Sequence, residues 1–223
     1  MFVVSKLSQS IPTTDGSYDK NIDQNFLYRG LTTHLQGRGM IGFRQTARSS
    51  WYATGFENTK VWSGVEIDPL NEGIPIKEWS IKTNDINQVF PSDISTNNNS
   101  LLSVKLNTVN TTILVNGVKV ILPVSTTSKD FKKDITSVNT IEYGSYYLPS
   151  KTISNVNNGF AISTTELKYI HNINGVGKDY YVGRPESKTE LMQVYGDSKG
   201  AKEEYTYENN LLKTSKTYNR DNT

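Results

Sequence analysis

The stretch Thr112-Ile113-Leu114-Val115-Asn116-Gly117-Val118-Lys119-Val120-Ile121-Leu122-Pro123 decides the fold class. Two apolar runs rich in β-branched residues flank an Asn-Gly pair, and β-branched residues suit the pleated surface of a sheet. Asn and Gly tolerate the positive φ angles that both central residues of a two-residue type I′ turn adopt. The stretch therefore predicts a β-hairpin with a type I′ turn at Asn116-Gly117. Because Pro123 cannot donate a backbone hydrogen bond, we predict that the second strand ends there.

The rest of the chain follows the same pattern. Tyr outnumbers Met by 13 to 3 in the 223 residues, and short alternating runs are bounded by Gly, Asn, Asp and Pro, which is typical of many antiparallel strands. Two polar stretches predict loops, Ser92–Ser100 and Thr126–Asp134, the second with a short helical turn over Lys129–Asp134. The predicted fold is all-β and antiparallel. Its other strands are predicted at Asn25–Leu31, Met40–Gln45, Lys77–Lys82, Leu101–Asn107, Ser137–Tyr143, Thr164–Ile170 and Asp179–Val182.

Composition excludes several classes of protein. Lys and Arg number 24 against 22 Asp and Glu, which gives a net charge of +2 without a basic stripe, so we expect no nucleic-acid partner. Cys is absent, which rules out disulfides and thiolate chemistry. No run approaches the ~18 apolar residues of a membrane helix, so no membrane span is expected. The start Met1-Phe2-Val3-Val4-Ser5-Lys6 lacks the pattern of a secretory signal peptide.

The sequence from Tyr143 onward shows a repeating cadence. Tyr143 is followed by Leu148 and Tyr207 by Leu212, and the tripeptide Ser-Lys-Thr comes soon after each Leu. Tyr195-Gly196-Asp197 starts a similar unit. Each unit predicts a strand, a tight polar turn and a second strand, with Tyr entering the turn and Leu leaving it. A single unit cannot bury its own apolar face, so successive units are predicted to stack side by side into an extended ribbon of sheet.

These residues resemble the YD-repeat (Rhs) family. Tyr207-Glu208-Asn209-Asn210-Leu211-Leu212 has Glu where the family has Asp and lacks its Gly, whereas Tyr195-Gly196-Asp197-Ser198-Lys199-Gly200 keeps both but shifts the Asp by one position. Tyr180-Tyr181-Val182-Gly183-Arg184-Pro185 looks like the same group. Gly37-Arg38-Gly39-Met40-Ile41-Gly42-Phe43, preceded by Tyr28-Arg29-Gly30-Leu31, is similar to the segment where the B component of insecticidal toxin complexes enters its Rhs region. The resemblance covers residues 26–223 and is loose over 48–140.

The resemblance implies a structural role. Such proteins form a hollow shell of β-hairpins that encloses a C-terminal toxic domain, so the expected partners are further shell segments and that domain, and the expected location is secreted or on the cell surface. The chain would divide into an N-terminal segment (1–25), a β-rich region (26–135) and a repeat region (136–223) cut off at its C-terminus. No enzymatic activity follows from the resemblance, and no catalytic, cofactor-binding or metal-binding residue is expected.

Two other functions stay open. The chain also resembles mono-ADP-ribosyltransferases, which have a split β-sheet with an early Arg, a Ser-Thr-Ser-like strand and a Glu-x-Glu-like loop. The matching residues in this chain are Arg29, Ser163 and Glu203. A carbohydrate-binding module is the second alternative, with a cell-surface glycan as partner. Aromatic rings can stack on sugars, although aromatic residues in strands also pack against each other. The aromatic residues concerned are Trp51, Tyr52, Trp62 and Trp79.

Metal and nucleotide sites are not favoured. His34 and His171 lie far apart in the sequence and outside any metal-ligand spacing. Gly37, Gly39 and Gly42 form a GxGxxG pattern, but a dinucleotide loop also needs a helix directly afterwards. Since the residues after Gly42 predict a strand, we interpret these glycines as sites of close strand packing or of a β-bulge.

Overall fold

The computed structural model describes residues 2–12, 20–34, 39–92, 94 and 100–221. These residues contain no α-helix and fourteen strands, joined in a few places by single 3₁₀ turns. The strands are β1 (Lys6–Ile11), β2 (Lys20–His34), β3 (Gly39–Ser49), β4 (Tyr52–Ala53), β5 (Val61–Asp68), β6 (Ile74–Lys82), β7 (Leu101–Ile113), β8 (Lys119–Asp130), β9 (Ile135–Tyr143), β10 (Pro149–Val156), β11 (Ala161–Asn172), β12 (Tyr181–Val194), β13 (Asp197–Glu208) and β14 (Leu211–Asp221). The 3₁₀ turns are Glu57–Thr59, Pro69–Asn71, Ile86–Gln88, Ser145–Tyr147, Asn157–Gly159 and Gly177–Asp179.

The sheet is a meander in which nearly every strand is hydrogen-bonded to the next one along the chain. Short β4 is the exception and pairs with β2. All strand pairs whose register is described are antiparallel. The predicted all-β antiparallel fold is therefore confirmed.

The predicted strands are confirmed in position, but most are longer than expected. The segment Asp179–Val182 is the one shifted prediction, because Asp179 belongs to a 3₁₀ turn and β12 begins at Tyr181. The loop predicted at Thr126–Asp134 is confirmed only over residues 131–134, and the helical turn predicted over Lys129–Asp134 is wrong. Strand β8 continues to Asp130, whose carboxylate accepts hydrogen bonds from the backbone N–H groups of Lys132 and Lys133 and so stabilises a tight turn. Most of the loop predicted at Ser92–Ser100 lies outside the described residues.

The predicted hairpin is present, but its turn is of another type. Gly117 has a φ of 78°, whereas Asn116 is not among the residues with positive φ. The Gly117 N–H donates to the Leu114 carbonyl at 2.8 Å, and the Leu114 N–H donates to the Val118 carbonyl at 2.8 Å. This is a three-residue loop, a type I turn followed by Gly in the left-handed conformation. The type I′ prediction is therefore wrong, and only Gly117 needs positive φ.

Strand β8 also continues through Pro123 to Asp130, so the predicted end of the strand is wrong. A proline removes one ladder donor, yet its carbonyl remains available. The Pro123 carbonyl accepts a hydrogen bond of 2.7 Å from the Tyr143 hydroxyl on β9. The strand continues because losing a single donor does not outweigh the remaining pairing.

The chain divides into two compact units, which we describe separately. Unit 1 comprises residues 1–107 and 128–134. Its core lies on one face of the sheet, where Trp62 and Trp79 are 3% and 4% exposed. Their indole N–H groups donate to the carbonyls of Thr83 and Val89, at 3.1 and 2.8 Å. The chain after β6 thus crosses this face and covers it. The core consists of Ala47, Trp62, Trp79, Ile81, Val89, Phe90, Ile94, Leu101 and Val104.

Unit 2 comprises residues 108–127 and 135–223. None of its described hydrophobic residues is buried, and Ser187 is the one buried residue that it contains among those described. The described hydrophobic side chains are half-buried or exposed. Ion pairs join neighbouring strands, as between Lys151 and Glu166 at 2.9 Å. Cross-strand pairs of this kind are the unit of sheet stabilisation. Over its described residues, unit 2 is a sheet with one layer and no hydrophobic core.

One turn of unit 2 follows the predicted repeat, and another departs from it. Asn209 and Asn210 have φ angles of 51° and 65° and join β13 to β14 in a two-residue turn. Just before and after this turn, Tyr207 and Leu212 are cross-strand partners, as the repeat pattern predicts. The other two-residue turn consists of Tyr195 (φ 55°) and Gly196 (φ 87°) and joins β12 to β13. Tyr195 thus lies within its turn instead of entering it.

In the part of the chain that the structure describes, no helix has the length and apolarity that crossing a bilayer requires.

Candidate functional site

The most elaborate side-chain arrangement in unit 2 is centred on Arg184 of β12. Its guanidinium carbon lies 3.5 Å from the ring centre of Tyr181 and 4.9 Å from that of Tyr207. A guanidinium stacks well on aromatic rings because it is planar and weakly hydrated. One of its nitrogens donates to the side-chain carbonyl of Asn210 at 3.1 Å. Arg184 therefore contacts its own strand, strand β13 and the turn that follows β13.

Hydrogen bonds extend this contact to the preceding loop. The side-chain amide of Asn210 donates to the Asp179 carboxylate at 2.7 Å, and the amide of Asn172 donates to the Asp179 backbone carbonyl at 2.9 Å. The Tyr207 hydroxyl donates to the Pro185 carbonyl at 2.8 Å. The β13–β14 turn is thereby tied to the loop between β11 and β12. We call the group Tyr181, Arg184, Tyr207 and Asn210 the arginine clasp.

Gly183 allows the chain to pass close to the neighbouring turn. Its φ is 79°, and a Cβ at this position would lie 2.8 Å from Cδ1 of Leu148. Its backbone N–H donates to Nδ1 of His171 at 3.0 Å, and the His171 ring lies 4.7 Å from the Tyr146 ring. Leu148 and Tyr146 belong to the β9–β10 turn. The Gly-Arg-Pro segment therefore contacts the turns on both sides of it.

A depression of about 460 Å³ lies beside the clasp, and its lining is mostly polar. Tyr181 and Tyr207 stack against the guanidinium of Arg184. Through these contacts the clasp connects strand β12 to strand β13 and to the turn that follows β13. Nothing in the arrangement aligns a nucleophile with a general base.

The three residues of the transferase alternative do not form a site. Ser163 pairs with Met192, and Met192 pairs with Lys199, so Glu203 lies two strands away and four positions further along β13. These offsets correspond to about 10 Å across the sheet and about 13 Å along it. Glu203 accepts a hydrogen bond from the Tyr205 hydroxyl. Arg29 belongs to unit 1, where its guanidinium lies 4.8 Å from the centre of the Phe90 ring.

The aromatic residues of the carbohydrate alternative are largely unavailable. Tyr52, Trp62 and Trp79 are buried, and only Trp51, at 43% exposed, has an accessible ring. Trp62 and Trp79 are core residues of unit 1, and Lys60 lies 4.8 Å from the Tyr52 ring centre and 5.9 Å from that of Trp62. The predicted sugar-stacking role of these three buried residues is wrong, because their rings pack inside the protein.

The two histidines and the glycine pattern have local roles where they are described. His171 accepts the Gly183 N–H, and His34 is the last residue of β2. Among the described residues, no three His, Asp or Glu side chains are grouped as a metal site would require. Gly37 lies outside the described residues, and Gly39 opens strand β3, so the chain after the glycines continues as a strand, as predicted.

Sequence reasoning missed a buried charge cluster in unit 1. Glu66 of β5, with a side chain 8% exposed, contacts Lys77 Nζ at 2.7 Å and Arg44 Nη2 at 3.0 Å. Gln45 Nε2 donates to the same carboxylate at 2.9 Å. Burial raises the pKa of Glu66, but hydrogen bonds from Lys77 and Gln45 and the charges of Lys77 and Arg44 outweigh this effect, so the pKa lies below its ordinary value of 4.5. The strand alternation could have placed Glu66 on the same face as Trp62, but its partners come from two other strands.

Comparison with known proteins gives a fold but no family. No protein-family model matches the chain, and no curated protein matches it. The chain resembles part of the crystal structure of TcdB2-TccC3-Cdc42, with a TM-score of 0.62 and 9% identity over 97% of this chain and 16% of that one. It also resembles TcdB2-TccC3 without its hypervariable C-terminal region, with a TM-score of 0.59 and 9% identity over 88% of this chain and 14% of that one.

A third structure, TcdB2-TccC3, gives a TM-score of 0.53 and 10% identity over 79% of this chain and 12% of that one. At these identities the likeness establishes a shared β-sheet fold. The chain spans no more than 16% of the length of the three matched chains.

Proposed function

We propose that the chain is a structural segment of the wall of an Rhs-type toxin shell, which encloses a toxic C-terminal domain. The observation that carries this proposal is the single-layer sheet of unit 2, which has no buried hydrophobic residue among those described. An ordinary domain buries one sheet face against a second layer. A wall between two aqueous spaces needs no second layer, because both of its faces contact water.

The fold shared with TcdB2-TccC3-Cdc42 supports the same proposal, since that structure aligns with 97% of this chain at a TM-score of 0.62. The arginine clasp also explains why the two sequence motifs that resemble the family occur together. Tyr181 and Arg184 come from the Gly-Arg-Pro segment, and Tyr207 and Asn210 come from the YD-like repeat, so one motif fastens the other. Residues 136–223 would be the repeat region of the wall, and 26–135 the β-rich region before it.

The role is non-enzymatic. The wall keeps the toxic domain away from its surroundings. Backbone hydrogen bonds between adjacent strands make the sheet continuous, so that a protein cannot pass through it, and the clasp holds neighbouring hairpins in register. The partners are further shell segments and the enclosed toxic domain, and the assembled protein would be secreted or displayed on the cell surface. Arg29, Ser163 and Glu203 serve strand packing in this account.

Protease protection of the complete gene product tests the proposal. We expect the domain encoded after the repeats to resist protease while the shell is intact and to become sensitive in a denaturant concentration that unfolds the shell. The isolated toxic domain, at the same protease concentration, is the control for intrinsic resistance. A domain cleaved equally fast in the native product and alone would refute encapsulation.

A further inference from the structure

Asn is followed by Gly at three places in the chain, which are Asn116-Gly117, Asn158-Gly159 and Asn174-Gly175. Each pair lies in a connection between two strands, and all three Asn residues are exposed. An Asn side chain loses its amide most readily when Gly follows, because glycine has no side chain to shield its backbone nitrogen. The three pairs therefore have nearly the same intrinsic reactivity. Differences between them in the folded chain come from their surroundings.

Deamidation requires the backbone nitrogen of the following residue to act as a nucleophile. After giving up its proton to a base, this nitrogen attacks Cγ of the Asn side chain and closes a cyclic imide. The Cγ–Nδ2 bond breaks, and the nitrogen leaves as ammonia. Water then opens the ring at one of its two carbonyls, which gives aspartate or isoaspartate. In isoaspartate the backbone runs through the side chain and is one methylene longer.

Two of the three pairs have a nitrogen that is held by a hydrogen bond. The Gly117 N–H donates to the Leu114 carbonyl at 2.8 Å, and Oδ1 of Asn116 accepts the Val118 N–H at 3.1 Å. The Gly159 N–H donates to Oδ1 of Asn155 at 2.7 Å. These hydrogen bonds must break before either nitrogen can attack, so the folded turns slow both reactions.

The third pair lies between β11 and β12 and lacks this restraint. Ile173 and Asn174 form an exposed turn. Among the described residues, no group accepts a hydrogen bond of ordinary distance and angle from the Gly175 N–H, and the Asn174 side chain has no hydrogen-bond partner. Both reacting groups are therefore available in the folded chain.

We propose that Asn174 is the residue at which the folded chain deamidates spontaneously, and that the isoaspartate product loosens the arginine clasp. Gly175 passes so close to Asp179 that a Cβ on Gly175 would lie 2.1 Å from the Asp179 carbonyl oxygen. A backbone that is one methylene longer at position 174 consequently displaces Asp179. The Asp179 carboxylate accepts the hydrogen bond from Asn210 of the clasp, so the displacement reaches the clasp directly. Neither step depends on the proposed shell role.

Peptide mapping measures the three pairs separately, because cleavage after lysine places them in the peptides 106–119, 152–168 and 169–178. The chain is incubated in mildly alkaline buffer, once folded and once in guanidinium chloride. Fragmentation of each peptide then locates the mass change from ammonia loss and water gain, and identifies isoaspartate. In guanidinium chloride we expect comparable rates at all three pairs. In the folded chain we expect Asn174 to react at least about fivefold faster than the other two, which corresponds to breaking one hydrogen bond of about 1 kcal/mol.

Two variants test the cause and the consequence. Asn155→Ala removes the acceptor of the Gly159 N–H and should speed deamidation of Asn158 in the folded chain about fivefold, with a thermal melt to verify folding. Asn174→Gln keeps an amide at this position but forms the larger ring far more slowly. After the same incubation, the natural chain should unfold at a lower urea concentration than before, and Asn174→Gln should be unchanged.

Three results would overturn the proposal. Folding that protects all three pairs equally, or that leaves Asn116 or Asn158 faster than Asn174, would remove the assignment of the site. An unchanged rate at Asn158 in folded Asn155→Ala would show that the hydrogen bonds do not control the reaction. Equal urea stability of the incubated natural chain and incubated Asn174→Gln would contradict the effect on the clasp.

Discussion

The guanidinium of Arg184 lies 4.9 Å from the centre of the Tyr207 ring, and this contact joins the two sequence motifs that define the C-terminal half of the chain. Tyr181 stacks on the same guanidinium at 3.5 Å. Unit 2 lacks a hydrophobic core among its described residues. Contacts of this type therefore contribute to stability in unit 2, whereas in ordinary domains the burial of hydrophobic side chains supplies that contribution.

Replacing Arg184 should destabilise unit 2. Arg184→Leu removes the stacking on two tyrosines and the hydrogen bond to Asn210, and we expect a loss of about 1–3 kcal/mol in the free energy of unfolding. Arg184→Lys keeps the charge but not the planar fork, so an intermediate loss is expected. Urea unfolding measures both. The control is Lys213→Ala, which removes the exposed ion pair with Glu208 and should cost less than about 1 kcal/mol. Equal losses for Arg184→Leu and the control would contradict the role of the clasp.

Unit 1 depends on the absence of a side chain at position 64. A Cβ on Gly64 would lie 2.2 Å from the Trp79 ring, and Trp79 is 4% exposed, so it has no free space to move into. We expect Gly64→Ala to cost about 1–3 kcal/mol through overpacking. Gly144→Ala is the matched control, because its Cβ would meet Ser150 at an ordinary 3.5 Å. Thermal melts in which both alanine variants behave alike would show that the Trp79 ring does not pack over Gly64.

Glu66 should make the stability of unit 1 depend on pH. The folded-state pKa of Glu66 is lowered below its ordinary value of 4.5, with burial opposed by hydrogen bonds from Lys77 and Gln45. A lowered pKa contributes stability that is fully present above the unfolded pKa and is lost as the pH falls through the folded one. We expect Glu66→Gln to lower the free energy of unfolding at pH 7 by about 1–3 kcal/mol, with a difference that shrinks below pH 4.5.

Urea titrations of the natural protein and Glu66→Gln, from pH 7 down to pH 3, measure this difference. Comparing the two proteins removes the contribution of other carboxylates with lowered pKa values, such as Asp23 and Glu204. A difference that stays constant over the whole range would mean that the Glu66 carboxylate is not stabilised by its partners.

The chain should not transfer ADP-ribose. Ser163 and Glu203 lie two strands apart and four positions out of step, and Arg29 contacts Phe90 in unit 1. Incubation with labelled NAD and a cell lysate should therefore leave lysate proteins unlabelled. The informative control is Glu203→Gln. Label that appears with the natural chain and disappears with this variant would restore the transferase alternative.

Local patterns were sufficient to predict most of the strands and one of the turn relationships, but they did not predict β1, β4 or β5. The Tyr-to-Leu spacing predicted that Tyr207 and Leu212 flank a turn, and they are cross-strand partners. The Asn-Gly pair predicted the hairpin but not its turn type, because Asn-Gly also fits a type I turn with Gly in the third loop position. The hydrogen bond from Gly117 to Leu114 decides between the two.

Contacts between distant segments could not be predicted in the same way. Trp62 and Trp79 were candidates for sugar stacking because the sequence of a strand does not show whether the sheet face that carries an aromatic residue is exposed or covered. The segment that carries Val89 and Phe90 buries them, and its path over the sheet is a tertiary feature. The clasp likewise depends on the register of β12 against β13, which brings Arg184 to Tyr207.

A cryo-electron microscopy reconstruction of the complete gene product tests the central claim most directly. The account predicts that residues 136–223 form part of a single-layer wall, with one face toward the exterior and the other toward an interior that holds the toxic domain. Density in which the same residues pack both faces against other layers of protein, or in which no interior space is enclosed, would contradict it.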